Sequence, residues 1–249
     1  MEKKLYVKFD DKGIAQLFME DREGKNIFSD SFIEEFLKAL DEIENRKDVK
    51  VLIIKGLPDT FCGGAEKQAL IDLCDGKMVV KDLVLSERLI SFPLPVIAAM
   101  EGHAVGGGFV LGLCSDIVII ARESRYGTVF MNMGFTPGMG TTTLLPELVG
   151  PFIAYEMMFT GKRFKGSELA VKGIHINYVL PRAEVYPKAM DIALQIAEKN
   201  VKSLRILKYA LSAKKKKLLI EARVQEDMMH TITFGLPETK KTIEDVYIE

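Results

Sequence analysis

The stretch with the most chemical content is Pro95-Val-Ile-Ala-Ala-Met-Glu-Gly-His-Ala-Val-Gly-Gly-Gly-Phe-Val-Leu-Gly112. Pro95 to Met100 is a short apolar run with β-branched members, the pattern of a buried strand. It breaks at Gly102, and Gly106-Gly107-Gly108 then opens a second apolar run, Phe109 to Cys114, expected to be a buried helix. A strand, a glycine turn and a helix start together aim free backbone N–H groups at a ligand, and the helix end favours negative charge. Three adjacent glycines cost backbone entropy and fill no space. Close approach of a ligand to the backbone would explain them, and so would a tight turn needing positive φ. A G-x-G-x-x-G match starting at Gly106 fails at Leu111, so no nucleotide fingerprint is present.

Groups able to move a proton near neutral pH are few. The chain has three histidines. His103 sits inside the glycine turn. His175, in Gly173-Ile-His175, follows a helix end and should be exposed. His230 lies on a long helical segment, in Glu226-Asp-Met-Met-His-Thr-Ile-Thr-Phe234. A helical histidine is more often structural or solvated, but its pKa near neutrality makes His230 the best available proton donor. Cys62, Cys74 and Cys114 are scattered, which argues against a disulfide framework or a zinc site and for a reducing cytoplasm.

These groups must be positioned by a fold of 249 residues that is 48% hydrophobic, 28% charged and −1 in net charge. That composition suits a soluble globular protein and gives no global signal for nucleic acid or a membrane surface. No apolar run approaches membrane-spanning length, and the N-terminus has no apolar core of a leader. Leu5 to Phe9 and Ile14 to Met19 read as a hairpin around Gly13. Ser29 and Asp30 offer N-cap chemistry for a helix whose apolar face is Phe32, Ile33, Phe36, Leu37, Leu40 and Ile43. Val51 to Lys55 and Ile117 to Ala121 read as buried strands, and Val179-Leu180 as a last short one. Helices are expected at Glu66 to Leu73, within Met78 to Ser91, and from Ser167. Phe61-Cys-Gly-Gly-Ala65 and Phe135-Thr-Pro-Gly-Met-Gly140 are further glycine turns. The alternation predicts an α/β fold with helices covering a sheet. From Ala183 onward the pattern is helical, with one face over Leu204 to Leu211 and a long segment from about Ala213 to Phe234. One continuous domain is expected, a core over 1–182 and a helical region over 183–249.

Four pieces in order, Phe61 to Ala65, Pro95 to Gly108, Cys114-Ser-Asp116 and Gly134 to Gly140, resemble the crotonase (enoyl-CoA hydratase/isomerase) superfamily over essentially the whole chain. The resemblance implies a spiral of ββα units with a helical C-terminal region that builds trimers. It also implies an oxyanion hole of two backbone N–H groups, which map onto Ala65 and Gly107. Fixed donors of that kind stabilise the charge that develops when a thioester becomes an enolate. The sequence departs from the hydratases of the family, which carry two glutamates. The corresponding positions here are Val110 and Phe130, expected to form apolar pocket walls, and neighbouring Asn132 is not acidic. Addition of water needs titratable groups within hydrogen-bond reach, so hydration is not expected.

Met131 to Gly140, Glu226 to Phe234 and Gly102 to Gly108 resemble the decarboxylating crotonase homologues of polyketide β-branching cassettes, the PksI-like proteins. In that group a lysine following the first oxyanion residue works with a histidine of the C-terminal helix. The histidine carries over to His230. For the lysine, Lys77 is favoured over Lys81, with Lys67 third, each weighed against the usual solvated lysine. The resemblance implies a 3-methylglutaconyl thioester on the phosphopantetheine of an acyl carrier protein, or on coenzyme A. Loss of CO₂ would give a dienolate and then a 3-methylcrotonyl thioester, with no other cofactor and no metal. Lys214 to Lys217 are expected to be solvated, with docking of an acidic carrier protein as the alternative. Two other readings stand beside this one: an enoyl-CoA isomerase, and a catalytically silent scaffold that binds acyl thioesters.

Overall fold

The computed structural model describes residues 4–78 and 83–247. The chain opens with the hairpin β1 (Leu5–Phe9) and β2 (Ile14–Met19), followed by β3 (Ile27–Phe28) and α1 (Asp30–Asn45). Ser29 caps α1, its hydroxyl accepting the Phe32 N–H at 3.2 Å. Next come β4 (Val51–Lys55), β5 (Thr60–Cys62), β6 (Gly64–Ala65), α2 (Lys67–Cys74) and α3 (Leu83–Ile90). They are followed by β7 (Val96–Met100), β8 (His103–Val105), α4 (Gly107–Leu113), β9 (Ile117–Ala121), β10 (Arg125–Gly127) and a 3₁₀ turn at Phe130–Met133. The rest is α5 (Thr141–Val149), α6 (Pro151–Thr160), β11 (Phe164–Lys165), α7 (Gly166–Val171), β12 (Tyr178–Leu180), α8 (Arg182–Ala197), α9 (Val201–Phe234) and α10 (Pro237–Val246).

Six strands form one sheet in the order β1-β2-β4-β7-β9-β12, parallel from β2 onward. A second sheet runs β11-β10-β8-β5, and β3 pairs with β6. Three times the chain passes from the large sheet to the small one and then into a helix: β4-β5-α2, β7-β8-α4 and β9-β10-α5. This is the spiral of ββα units. The large sheet is covered on both faces, which is why its central strands read as continuous apolar runs. Leu52, Ile54, Val96, Ala98 and Met100 point into the main core, while Val51, Ile53, Ile97 and Ala99 point into a second core. The second core is closed by the small-residue face Val185, Ala189, Ala193 and Ala197 of α8.

The second sheet is the larger departure from the sequence reading. Its strands are two or three residues long, too short for any periodicity, and the glycine turn at Phe61–Ala65 is resolved into β5 and β6. The face expected over Leu204 to Leu211 and the long segment expected from about Ala213 to Phe234 belong to one 34-residue helix, α9, whose span contains no glycine or proline to break it. The helix expected from Ser167 starts one residue earlier, at Gly166.

Candidate active site

Gly64 stands at φ 87°, and a Cβ there would lie 2.7 Å from the Val105 carbonyl and 3.4 Å from the Gly107 amide nitrogen. Only glycine lets β6 press against the turn between β8 and α4. Gly106, at φ 54°, caps α4, and its own amide donates to the Gly127 carbonyl at 2.8 Å. Gly107 is therefore the first residue of α4, where an amide has no intrahelical acceptor and the helix dipole is positive. Ala65, which pairs with Phe28 in the β3–β6 ladder, and Gly107 both line a cavity of about 790 Å³. The same cavity is lined by His230 and by apolar side chains that include Phe28, Leu70, Phe135, Met139 and Phe234. Two amides so placed suit a carbonyl oxygen that gains negative charge.

His230 is 5% exposed and lies one turn before the end of α9. Its Nε2 is 3.0 Å from the Thr136 carbonyl oxygen. A carbonyl only accepts, so Nε2 carries the hydrogen and Nδ1 is the nitrogen free to exchange a proton. Nδ1 is buried and has no hydrogen-bond partner among the described residues. Burial pushes the imidazole below its ordinary pKa, with the Thr136 carbonyl opposing. Phe234 packs edge-on to the ring at 5.4 Å and fixes its plane.

One turn before His230, Glu226 points into the same interior and is 1% exposed. Its carboxylate accepts the Gly140 N–H at 2.7 Å, the Thr142 N–H at 2.8 Å and the Thr142 hydroxyl at 2.7 Å. Burial raises its pKa, and the Thr142 and Gly140 bonds pull it back. These bonds fasten the first turn of α5 to α9, and with it Met139, a non-glycine residue held at φ 62°. The Met139 carbonyl is held from the other side by the Ser86 hydroxyl at 2.9 Å. Sequence reasoning passed over Glu226. Its signal was a position four residues before His230, on the same helix face.

Of the two expected wall residues, Phe130 lines the cavity and Val110 does not. Val110 sits one turn further into α4 than Gly107 and packs, 2% exposed, in the main core. The favoured lysine also falls outside. Lys77 is exposed, with its ammonium 2.9 Å from Asp75 and 3.7 Å from Asp72, and the residue does not line the cavity. Two acidic neighbours at a helix end hold it there. Lys67 lines the rim, its Nζ 3.3 Å from the Glu244 carbonyl. Lys81 lies outside the described residues, between Met78 and Leu85, which both line the cavity. His103 is structural, its Nδ1 accepting the Arg125 N–H at 2.8 Å, and His175 is exposed. Within the lysine run, Lys214 pairs with Glu147 at 2.5 Å and Lys215 donates to the Ser115 carbonyl at 2.6 Å. Among the described residues, no group of three His, Cys, Asp or Glu could hold a metal ion, and no helix is long and apolar enough to cross a membrane.

A ββα spiral whose β6 end and α4 start meet at an apolar cavity defines the crotonase class. The chain belongs to the enoyl-CoA hydratase/isomerase family, whose sequence profile matches residues 10–249. It is 38% identical over 237 residues to the bacillaene synthase decarboxylase PksI of Bacillus subtilis (strain 168), covering 95% of each chain. Among solved structures it resembles the ECH2 decarboxylase domain of CurF from Lyngbya majuscula, at TM-score 0.93 and 36% identity over 98% of this chain and 99% of that one. It also resembles, at TM-score 0.95 and 36% identity over 99% and 100%, a structure from a dehydratase/decarboxylase couple involved in polyketide β-branching.

Proposed function

We propose that this chain decarboxylates a 3-methylglutaconyl thioester, carried on the phosphopantetheine of an acyl carrier protein in the cytoplasm, to the 3-methylcrotonyl thioester. One observation carries the reading. Of the two positions at which family hydratases carry glutamates, the one that lines the cavity holds Phe130, and an imidazole, His230, lines the cavity with it. The decarboxylases to which the chain is similar support the same choice.

The Ala65 and Gly107 amides take the thioester oxygen. The bond between the terminal carboxylate and its methylene breaks, CO₂ leaves, and the electron pair passes through the double bond onto that oxygen as a dienolate. Preorganised amides stabilise it without moving. His230, protonated at Nδ1, gives that proton to the terminal carbon, and the imidazole regains one from solvent. The apolar walls exclude water and favour the uncharged product over the carboxylate. The carboxylate needs a cation, and Lys81 is proposed for it, because the cavity-lining residues Met78 and Leu85 bracket it in the sequence.

The protein is further proposed to be a homotrimer. Phe152 and Phe159 on α6 and Ile206, Tyr209, Val224 and Ile232 on α9 are all at least 60% exposed, an apolar surface suited to a second copy. Sedimentation should give three chains per particle.

Mass spectrometry of a 3-methylglutaconyl carrier tests the activity. Loss of CO₂ is expected with wild type, and Lys81→Ala should slow it more than Lys77→Ala or Lys67→Ala. A β,γ-enoyl thioester converted faster than the diacid would favour an isomerase, and an unchanged carrier would favour a silent scaffold.

A further inference from the structure

The C-terminal end of the chain returns to the site from outside the spiral. Helix α10 packs on α2, with Ile243 buried among Leu70, Phe130, Phe135 and Phe234. Lys240 pairs with Asp75 at 2.6 Å, and Thr239 donates to the Thr233 carbonyl at 2.7 Å. These contacts deliver Tyr247, the residue that follows α10, to the cavity wall. Its hydroxyl donates to the Ala65 carbonyl at 2.7 Å.

Ala65 sits at the joint between β6 and α2, with Glu66 as the N-cap of that helix. Its N–H belongs to one peptide and its carbonyl to the next, so a bond to the carbonyl restrains the rotation that would turn the residue away from Gly107. On the other side Ala65 belongs to a two-residue ladder with β3.

We propose that Tyr247 is a positioning residue for the oxyanion hole: its hydroxyl, brought by α10, holds the Ala65 peptide so that the Ala65 amide stays aimed at the thioester oxygen. The inference rests on the oxyanion role given to Ala65 above. It makes the last helix part of the catalytic scaffold, and it assigns the hydroxyl and the ring different work. The hydroxyl sets the amide, and the ring closes the outer wall.

Tyr247→Phe keeps the ring and removes the bond. Removing an oxyanion donor outright costs about 10²–10³ in kcat, so loosening one should cost about tenfold, with KM within about twofold. Tyr247→Leu should lose kcat similarly and raise KM as well. A second readout does not need turnover. The saturated 3-methylglutaryl pantetheine thioester is compared with the thioether that has a methylene in place of the carbonyl. Wild type should prefer the thioester, and Tyr247→Phe should lose most of that preference at unchanged Tm. Wild-type kcat and preference in Tyr247→Phe would overturn the proposal, as would a loss that merely follows a lowered Tm. Should wild type release no CO₂, the decarboxylase reading falls, while the thioester preference still decides what the hydroxyl does.

Discussion

Helix α9 sends polar side chains inward at two places, and the two are built differently. Near its start Lys208, 4% exposed, places its ammonium 2.7 Å from both Asp116 oxygens, and Asp116 also accepts the Val96 N–H at 2.8 Å. Burial lowers the Lys208 pKa, while Asp116 holds the charge in place. Near the other end, Glu226 is equally satisfied, yet His230 one turn later leaves Nδ1 buried and unpaired among the described residues. The Lys208 pair ties α9 to the ends of β7 and β9, and neither it nor Ser212 one turn later, whose Oγ is also buried without a partner among the described residues, lines the cavity. The His230 end keeps one acceptor open beside a cavity. A closed network holds the fold; an open one beside a cavity can react, since an unpaired buried polar atom is costly unless something else completes it.

The comparison breaks most visibly if the two ends are interchanged in their effects. His230→Gln keeps a donor for the Thr136 carbonyl but has no titratable proton. It should lower kcat by about 10²–10⁴ with Tm nearly unchanged. Lys208→Met strands the Asp116 charge and should cost about 3 kcal/mol of stability in urea unfolding, with kcat of the folded enzyme kept. Glu226→Gln falls between, since it loses a charged acceptor for two amides. It should cost about 2 kcal/mol and lower kcat as the Met139 turn loosens.

The pH dependence sharpens the same contrast. The folded state holds His230 below its ordinary pKa, so below about pH 6.5 the unfolded chain binds a proton that the folded one resists. The unfolded state then binds more protons, and stability falls as pH drops through that range. His230→Gln should remove this part of the loss. For activity the sign is opposite, because the proposed mechanism makes the protonated ring the donor. The free-enzyme limb in kcat/KM should lie below about pH 6.5, and the limb in kcat should lie higher, since a bound carboxylate favours the imidazolium. The smallest effect is expected at Lys77→Ala, within about twofold in kcat, because an exposed pair such as Lys77–Asp75 contributes little.

The parallel strands and the larger helices were legible because each carries a local pattern of its own: the continuous apolar runs VLIIK, VIAAM and IVIIA for the sheet, and the three-and-four spacing of the Phe32 to Ile43 face for α1. Ser29 was readable as a cap for the same local reason. The second sheet and the β3–β6 pair were not, because strands such as Thr60–Cys62 and Gly64–Ala65 exist only through partners far along the chain. Within the site, Ala65, Gly107 and His230 came from motif resemblance, and all three line one cavity. Val110 was misplaced because an alignment gives a position in a motif and not the direction of a side chain one turn down a helix. Lys77 stands apart from the cavity, held by Asp72 and Asp75, two neighbours that the sequence reading did not weigh. Tyr247 carried no signal, since its hydroxyl meets a carbonyl 182 residues away.

The central claim is that backbone amides hold a dienolate and an imidazole protonates it. A 3-methylglutaconyl carrier labelled with ¹³C in its free carboxyl, turned over in D₂O, tests this in one reaction. Labelled CO₂ should appear together with a 3-methylcrotonyl thioester bearing one deuterium on its terminal methyl, and His230→Gln should suppress the deuterated product. A hydrated product that keeps the label, or full deuteration at the wild-type rate in His230→Gln, would contradict the account.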